Sequence, residues 1–314
     1  NVYEKYNGLV KDIKFNPIFI MGLHRSGTTL LYRLLDKTNE FTILTTYDVI
    51  NYDKLLFNHI NKIEEKEKSK LNNLMEEKGI TNRKFDQLKV GAEREHEYVD
   101  IFTRKGYSSK LNEKNRFLLN NLCKKLKFIS KKNKPVLLKN PFDYPNFLKI
   151  KEFFPNSKFI FIHRNPVKVI NSCIHVWNSH YSSKNQYLAL YDEGYSKTYD
   201  NPITRMFMKK FFSSKFPFGA YTEFLKVKKG NKYFLENIDK LQKDDICQIK
   251  YENLCENPNR TMKTILNFLN IKSQIDFSNY IKPRELNLNP NVEIMKEYIY
   301  KKMKPYVEYF NYEI

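Results

Sequence analysis

Two glycines and a run of polar side chains lie close together near the N-terminus. Residues 22–29 are Gly-Leu-His-Arg-Ser-Gly-Thr-Thr, and the glycines have the spacing of a phosphate-binding P-loop. Glycine lets the backbone curl until its N–H groups face an anion, and the start of a following helix adds partial positive charge. The spacing therefore predicts a site for a phosphate-like group. Its predicted members are Arg25, Ser26, Gly27, Thr28 and Thr29.

The loop differs from that of ATP- and GTP-hydrolysing enzymes at one position. Those enzymes need a lysine against the β- and γ-phosphates, and this chain has Thr28 there. Arg25 and two hydroxyl groups supply the polar contacts instead. We therefore expect a phosphate-like ligand other than Mg-ATP, and we expect His24 to shape the loop rather than to act as a base.

A second anion site is predicted further along the chain. Arg164 follows the apolar run 158–163, and Ser172 comes eight residues later. A guanidinium group grips a phosphate dianion through paired hydrogen bonds. A serine two helical turns further on can reach the same group, so the pair is typical of a phosphate site.

Two more polar residues follow apolar runs. Lys139 ends the run 135–139, which is an unusual place for a solvated lysine, although a purely structural role stays open. Tyr251 begins the segment Tyr-Glu-Asn-Leu after the run starting at Ile246. A core tyrosine beside a helix cap is the alternative interpretation of Tyr251.

Together these segments resemble the PAPS-dependent sulfotransferases, and their motif pattern is closest to the bacterial and tyrosylprotein types. PAPS is 3′-phosphoadenosine-5′-phosphosulfate. The string Arg-Ser-Gly-Thr-Thr resembles the family's 5′-phosphosulfate loop, and Arg164 with Ser172 resembles its 3′-phosphate motif. Lys139 matches the lysine that faces the transferred group, and Tyr251 matches a tyrosine near the nucleotide. The resemblance covers roughly residues 17–50 and 135–270.

The resemblance implies a reaction and its participants. A sulfuryl group moves in line from PAPS to an acceptor hydroxyl or amine, PAP is the product, and no metal is required. Alcohols, sugars, carrier-bound intermediates and peptide tyrosines all fit as acceptors. Arg25 and Lys139 would meet the charge that develops during transfer.

A general base must accept the proton of the acceptor. In tyrosylprotein sulfotransferases a glutamate shortly after the loop helix does so, and ungapped counting places Thr46 there, which cannot serve. Asp48 is the first candidate instead, with a helix cap as its alternative role. The second candidate is an acidic cluster, which a solvated helix face would also explain. The cluster contains Glu93, Glu95, His96 and Glu97.

Apolar runs and amphipathic segments alternate along the chain. The runs predict strands at 17–21, 135–139, 158–163 and 246–251, and the segments predict helices at 28–36, 52–78, 111–132, from 166, and 259–269. This alternation predicts an α/β three-layer sandwich with a parallel sheet, similar to the P-loop nucleoside triphosphate hydrolases. We expect a single domain over residues 1–314, with a substrate-side insertion at 181–216.

The formal net charge of +20 allows several interpretations. Nucleic acid, a polyanionic ligand, or a compositional bias towards lysine would each explain it. We expect no nucleic-acid partner, because the basic residues are dispersed rather than interleaved with aromatics. A P-loop nucleotide kinase or NTPase is the enzymatic alternative. Thr28 disfavours it, and so does the lack of an aspartate ending the run 158–163.

The sequence also bears on compartment. No apolar stretch reaches the ~20 residues of a membrane helix, and no signal peptide is visible, so we expect a cytoplasmic protein. The chain begins at Asn1 rather than Met, which leaves open a removed anchor or targeting segment. The four cysteines lack the C-x-x-C spacing of zinc or redox sites, and free thiols are expected.

Overall fold

The computed structural model describes residues 4–130, 134–190, 192–281 and 287–313. Within them, five parallel strands form one sheet in the order β2-β3-β1-β4-β5. The strands are β1 (Pro17–Met21), β2 (Thr42–Ile43), β3 (Val136–Lys139), β4 (Lys158–His163) and β5 (Ile246–Lys250). The four strands predicted from apolar runs are therefore confirmed, and the two-residue strand β2 is an addition.

Helices surround the sheet. The α-helices of the described residues are α1 (Thr28–Lys37), α2 (Thr46–Ile50), α3 (Leu55–Ile60), α4 (Glu64–Glu77), α5 (Val99–Arg104), α6 (Arg116–Ser130), α7 (Phe147–Phe153), α8 (Pro166–Ser182), α9 (Gln186–Ala189), α10 (Glu193–Asp200), α11 (Pro202–Phe211), α12 (Phe218–Asn237), α13 (Tyr251–Glu256), α14 (Pro258–Phe268), α15 (Pro290–Ile294), α16 (Lys296–Lys302) and α17 (Lys304–Tyr309). The 3-10 helices are Glu4–Val10, Pro141–Asn146, Ile238–Lys240, Lys243–Asp245 and Phe277–Tyr280.

Two apolar cores lie on opposite faces of the sheet, because side chains alternate along each strand. In β1, Phe19 and Met21 belong to one core, together with α8 and α12. Ile18 and Ile20 belong to the other core, together with α1 and α14. Helices thus cover both faces, and the predicted three-layer α/β sandwich with a parallel sheet is confirmed.

The strand order creates a crevice at the C-terminal edge of the sheet. Neighbouring strands β1 and β3 continue into helices on opposite faces: α1 packs in one core, and α7 packs in the other. Open α/β sheets bind ligands where the connections diverge in this way. The loop after β1 and Lys139 at the end of β3 both border this point.

Some predicted helix bounds were wrong. The predicted helix 52–78 is interrupted between Ile60 and Glu64, where Lys62 has a φ of 56°. The predicted helix 111–132 begins only at Arg116, and residues 131–132 lie outside the described residues. In both cases the residues at the helix boundary are polar, so the apolar pattern does not show where the helix ends or begins.

The segment 181–216 contains the end of α8 and the helices α9, α10 and α11, while residue 191 lies outside the described residues. In the part of the chain that is described, no helix combines the length and apolar character needed to cross a membrane. The four cysteines are all free thiols.

Candidate active site

The loop after β1 depends on both of its glycines. A Cβ atom at Gly22 would lie 2.5 Å from Ser26 Oγ and 2.8 Å from the Ile162 carbonyl oxygen. Gly27 has a φ of 101°, and a Cβ atom there would overlap the Tyr251 ring. Arg25 also has a positive φ, of 68°. The loop is curled so tightly that neither glycine position has room for a side chain.

Helix α1 starts directly at this loop, as the sequence predicts. Gly27 is its N-cap residue and supplies no side-chain cap. The first N–H groups of any α-helix have no partner within the helix, so they can donate to an anion at this end. The hydroxyls of Thr28 and Thr29 lie on the same turn, and both residues line a cleft. The loop has the donors that a phosphate-like group requires.

Lys139 is brought to the same place from the neighbouring strand. Its side chain is buried, with the residue only 2% exposed. Its Nζ donates to Thr29 Oγ1 at 3.0 Å and to Glu97 Oε1 at 2.5 Å. A buried ammonium requires such partners, because transfer from water without them is unfavourable. The loop, Lys139 and Glu97 thus form one connected group.

Glu97 was predicted only as a member of the acidic cluster, and it is the member that contacts Lys139. Burial alone would raise the pKa of Glu97, but the Lys139 ammonium outweighs it, through its charge and its hydrogen bond, and the pKa is lowered to about 2. Burial lowers the pKa of His24, with the Lys139 charge adding to the effect and Glu97 opposing it. Glu97 is therefore a carboxylate and His24 is neutral at physiological pH.

The predicted second anion site lies against the loop. Arg25 Nε donates to Ser172 Oγ at 3.1 Å, and Arg164 Nη1 donates to the Arg25 carbonyl oxygen at 2.8 Å. The Arg164 guanidinium lies 4.3 Å from the centre of the Tyr251 ring, in a cation–π contact. The structure therefore brings together Arg25, Arg164, Ser172 and Tyr251, as their sequence patterns predict for one ligand.

Arg164 retains an unused donor. Its Nε is buried and has no hydrogen-bond partner among the described residues. A buried donor without a partner is rare in folded proteins, and each case needs an explanation. A phosphate group would satisfy this donor, so the residues present fit an anionic ligand here.

A deep cleft of about 1270 Å³ opens beside the loop. Such a volume exceeds that of most small-ligand pockets. Its lining includes the polar residues Arg25, Thr28, Thr29 and Lys139. It also includes aromatic residues, among them Phe85, Trp177, Tyr181, Tyr187 and Tyr195. The cleft can therefore hold an apolar or aromatic group next to the reactive end of an anionic ligand.

The other members of the acidic cluster have partners of their own. His96 Nε2 lies 2.7 Å from Asp100 Oδ2, and His96 Nδ1 lies 3.3 Å from Thr46 Oγ1. Glu95 pairs with Arg33 at 3.4 Å. Glu95 and His96 both line the cleft. Their contacts fix the position of this part of the cleft lining, whereas Glu97 contacts Lys139.

Asp48 is placed differently from the other predicted site residues. Its Oδ2 accepts hydrogen bonds from Thr45 N at 2.8 Å and Thr45 Oγ1 at 2.6 Å. Asp48 N in turn donates to Thr45 Oγ1 at 3.3 Å, and the two bonds to backbone N–H groups form a capping box for α2. Burial raises the pKa of Asp48 to about 6, and the Thr45 bonds oppose this rise. Asp48 is not among the described residues that line the cleft. The capping role that the sequence left open is therefore the one the structure supports.

Several residues in the cleft or next to it have no recognisable pattern in the sequence. Asp86 lies 3.8 Å from Arg25 Nη1, and Phe85 stacks under the same guanidinium. Trp177 Nε1 donates to Glu223 at 3.1 Å. These residues come from loops and helices far apart in the chain, so no local spacing identifies them. Over the described ranges, no group of three or more His, Cys, Asp and Glu residues could hold a metal ion.

Comparisons with known proteins agree with this geometry. A family model described as "Sulfotransferase family" matches residues 17–212. The sulfotransferase STF9 from Mycobacterium avium aligns with a TM-score of 0.68 at 14% identity, over 100% of this chain and 81% of that one. The sulfotransferase STF1 from Mycobacterium tuberculosis H37Rv aligns with a TM-score of 0.61 at 14% identity, over 96% and 80%. The comparison with curated proteins found no match. The likeness confirms the predicted P-loop-type fold.

Proposed function

Because the chain belongs to the sulfotransferase family, we propose that it transfers a sulfuryl group from PAPS to an acceptor hydroxyl or amine. The observation that supports this best is the contact of Lys139 with both Thr29 and Glu97. One ammonium group thereby touches the anion-binding loop on one side and a carboxylate in the cleft on the other. A group transfer from loop to cleft needs a cation at this point.

The donor fits the anion-binding groups at both of its charged ends. The 5′-phosphosulfate would lie on the N–H groups and hydroxyls of residues 26–29, with Arg25 beside it. The 3′-phosphate would lie at Arg164 and Ser172, where Arg164 Nε has an unused buried donor in the described part of the chain. Tyr251, already in contact with Arg164, would flank the nucleotide. Paired charge-assisted contacts of this kind discriminate phosphate from neutral groups.

Lys139 would stabilise the charge that leaves with the nucleotide. During transfer, the bond between sulfur and the bridging phosphate oxygen breaks, and a bond forms between sulfur and the acceptor atom. Negative charge grows on the bridging oxygen, and PAP departs with it. A fixed ammonium acts more strongly on this transition state than on the ground state, which is the requirement for rate acceleration.

Glu97 is our candidate for the general base. It would accept the proton that the acceptor hydroxyl or amine loses as the bond to sulfur forms. The Lys139 contact lowers its pKa to about 2 and so makes it a weak base before the donor binds. When Lys139 turns to the phosphosulfate, the carboxylate loses its closest cation and becomes more basic. Proton acceptance is thereby tied to the presence of the donor.

Ligand-dependent stability tests the proposal directly. We expect PAP to raise the melting temperature of the protein, because a ligand at ~100 times its dissociation constant adds about 2.7 kcal/mol to the free energy of unfolding. ATP with Mg²⁺ and a single-stranded oligonucleotide are the matched comparisons. No shift with millimolar PAP, or a larger shift with either comparison ligand, would reject PAPS as the donor.

A further inference from the structure

Helix α11 has an apolar stripe that no part of the described chain covers. None of its side chains is buried. Ile203 is 74% exposed, Met206 55% and Phe207 61%. Their spacing of three and four residues places them on one face of the helix. Such a stripe normally packs on the core of a globular protein, so its exposure indicates a surface that meets something else.

The exposed apolar surface continues beyond the helix. The Phe207 and Phe211 ring centres are 5.9 Å apart, and those of Phe211 and Phe218 are 6.2 Å apart. Phe216 stacks on Phe218 at 6.2 Å. We call the surface formed by Ile203, Met206, Phe207, Phe216 and Phe218 the apolar face. Single exposed apolar residues need no explanation, but a contiguous patch of this kind marks an interaction site.

Cationic residues outnumber acidic ones in the segment that carries the apolar face. Residues 201–230 contain seven Lys or Arg residues and one Glu. Lys209 and Lys210 lie in the last turn of α11, and Lys215 follows in the connection to α12, all three exposed. Two such faces would repel each other, so a second copy of the chain is a poor occupant. An anionic surface is the electrostatically complementary one.

We propose that the apolar face docks on a lipid bilayer that contains anionic headgroups. Interfacial helices bind in this way, with large apolar side chains below the headgroups and lysines against the lipid phosphates. The proposal concerns docking and does not depend on the reaction. Thr198 at the end of α10 and Lys226 and Lys229 of α12 line the cleft. Docking would therefore place the cleft beside the membrane.

Vesicle co-sedimentation of the full chain tests the proposal. We expect binding to phosphatidylcholine vesicles that contain phosphatidylserine, and much weaker binding to phosphatidylcholine alone. Ile203→Ser with Phe207→Ser should lower the partition coefficient at least about tenfold, because each large apolar side chain contributes on that order. Lys209→Gln with Lys210→Gln should lower it about tenfold on the anionic vesicles. Both variants change exposed side chains, and circular dichroism would verify that they fold.

Matched controls distinguish binding through the apolar face from nonspecific binding through other exposed apolar or basic residues. Leu74→Ser with Phe117→Ser removes exposed apolar groups from α4 and α6. Lys263→Gln removes an exposed lysine of α14, which packs on the opposite side of the sheet. Both controls should bind vesicles like the wild type. Absence of wild-type binding to anionic vesicles, or equal loss in controls and test variants, overturns the proposal. So does a dimer in light scattering that only the Ile203 and Phe207 changes dissociate.

Discussion

Two parts of the site are built in different ways. The part that we call the loop side consists of residues 22–29 and Lys139, with Arg164, Ser172 and Tyr251 in contact with the loop. Residues 22–29 follow β1, Lys139 ends β3, Arg164 and Ser172 come after β4, and Tyr251 follows β5. The helical side takes Phe85, Trp177, Tyr187 and Tyr195 from loops and helices well apart in the sequence.

The difference shows how each side obtains its geometry. On the loop side, the parallel sheet fixes where each short string lies, because all strands end at one edge. On the helical side, tertiary packing alone sets the positions, as in the stack of Trp177 on Phe212 at 5.1 Å. We therefore expect the loop side to govern donor chemistry and the helical side to govern which acceptor fits. The following experiments test that division, from the largest expected effect to the smallest.

Lys139→Ala should have the largest effect. We expect sulfuryl transfer from radiolabelled PAPS, assayed against a panel of phenols and alcohols, to fall ~10²–10³-fold, by analogy with the loss of an oxyanion-hole donor. PAP affinity, measured by calorimetry, should change only a few-fold. The reason is that the ammonium acts on charge that develops during transfer.

The control for Lys139 is a buried lysine outside the site. Lys125 Nζ donates to the Tyr52 carbonyl oxygen at 2.9 Å, and Lys125→Met should leave turnover per folded molecule unchanged. Lys139→Met combined with Glu97→Gln removes both charges of the Lys139–Glu97 pair. This double variant should have a higher melting temperature than Lys139→Ala but no more activity. Normal turnover in Lys139→Ala would show that the strand-end lysine is structural.

Glu97→Gln should have the next largest effect, a loss of about 10²-fold or more in turnover, because the amide cannot accept the acceptor proton. Asp48→Asn is the matched control and should stay within a few-fold. Asp48 is buried and Glu97 is partly buried, and of these two carboxylates Glu97 lines the cleft. The reverse ranking of the two variants would return the base to Asp48.

Arg164→Ala should have an intermediate effect that depends on the ligand. We expect PAPS to lose about 10- to 150-fold in affinity, the range for a hydrogen bond to a charged group. Adenosine 5′-phosphosulfate, which lacks the 3′-phosphate, should lose little. Arg104→Ala, on the helical side of the cleft, should not distinguish the two ligands. Equal losses for both ligands in Arg164→Ala would show that this arginine does not bind the 3′-phosphate.

Chelation should have the smallest effect. In the proposed reaction, Arg25 and Lys139 would provide the positive charge that Mg²⁺ provides in phosphoryl transfer. We therefore expect turnover in excess EDTA to equal turnover with added Mg²⁺. Loss of activity in EDTA with recovery on adding Mg²⁺ would favour the kinase-like alternative.

The sequence predicts the loop side well because its information is local. Neither Gly22 nor Gly27 has room for a side chain. Gly22 lies directly after a strand that the apolar pattern identifies, and Gly27 lies directly before α1. Strand β2 was missed because a strand of two residues, Thr42 and Ile43, is too short to show a period-two pattern.

The carboxylate that we propose as the base was harder to predict, because its position depends on distant segments. Counting from the loop helix leads to Thr46 and Asp48, and Asp48 caps α2 instead. Glu95 forms an isolated β-bridge with Thr45, and Glu97, two residues later, reaches Lys139. Nothing in the local sequence distinguishes Glu97 from Glu93, which is exposed. Only the fold shows which carboxylate faces the lysine.

Arg25 is held from two directions, by Arg164 at its carbonyl oxygen and by Ser172 at its side chain. These contacts connect the loop 22–29 with the predicted second anion site at Arg164 and Ser172. A ligand group that fixes the side chains of one site would therefore also fix those of the other. Reciprocity then requires that two monophosphate fragments, one at each site, change each other's affinity by the same factor. A nucleotide with both phosphates has the further advantage of a high effective concentration at the second site. The selectivity for a doubly charged nucleotide that we propose would thus be a property of the Arg25 contacts as a unit, rather than of either site alone.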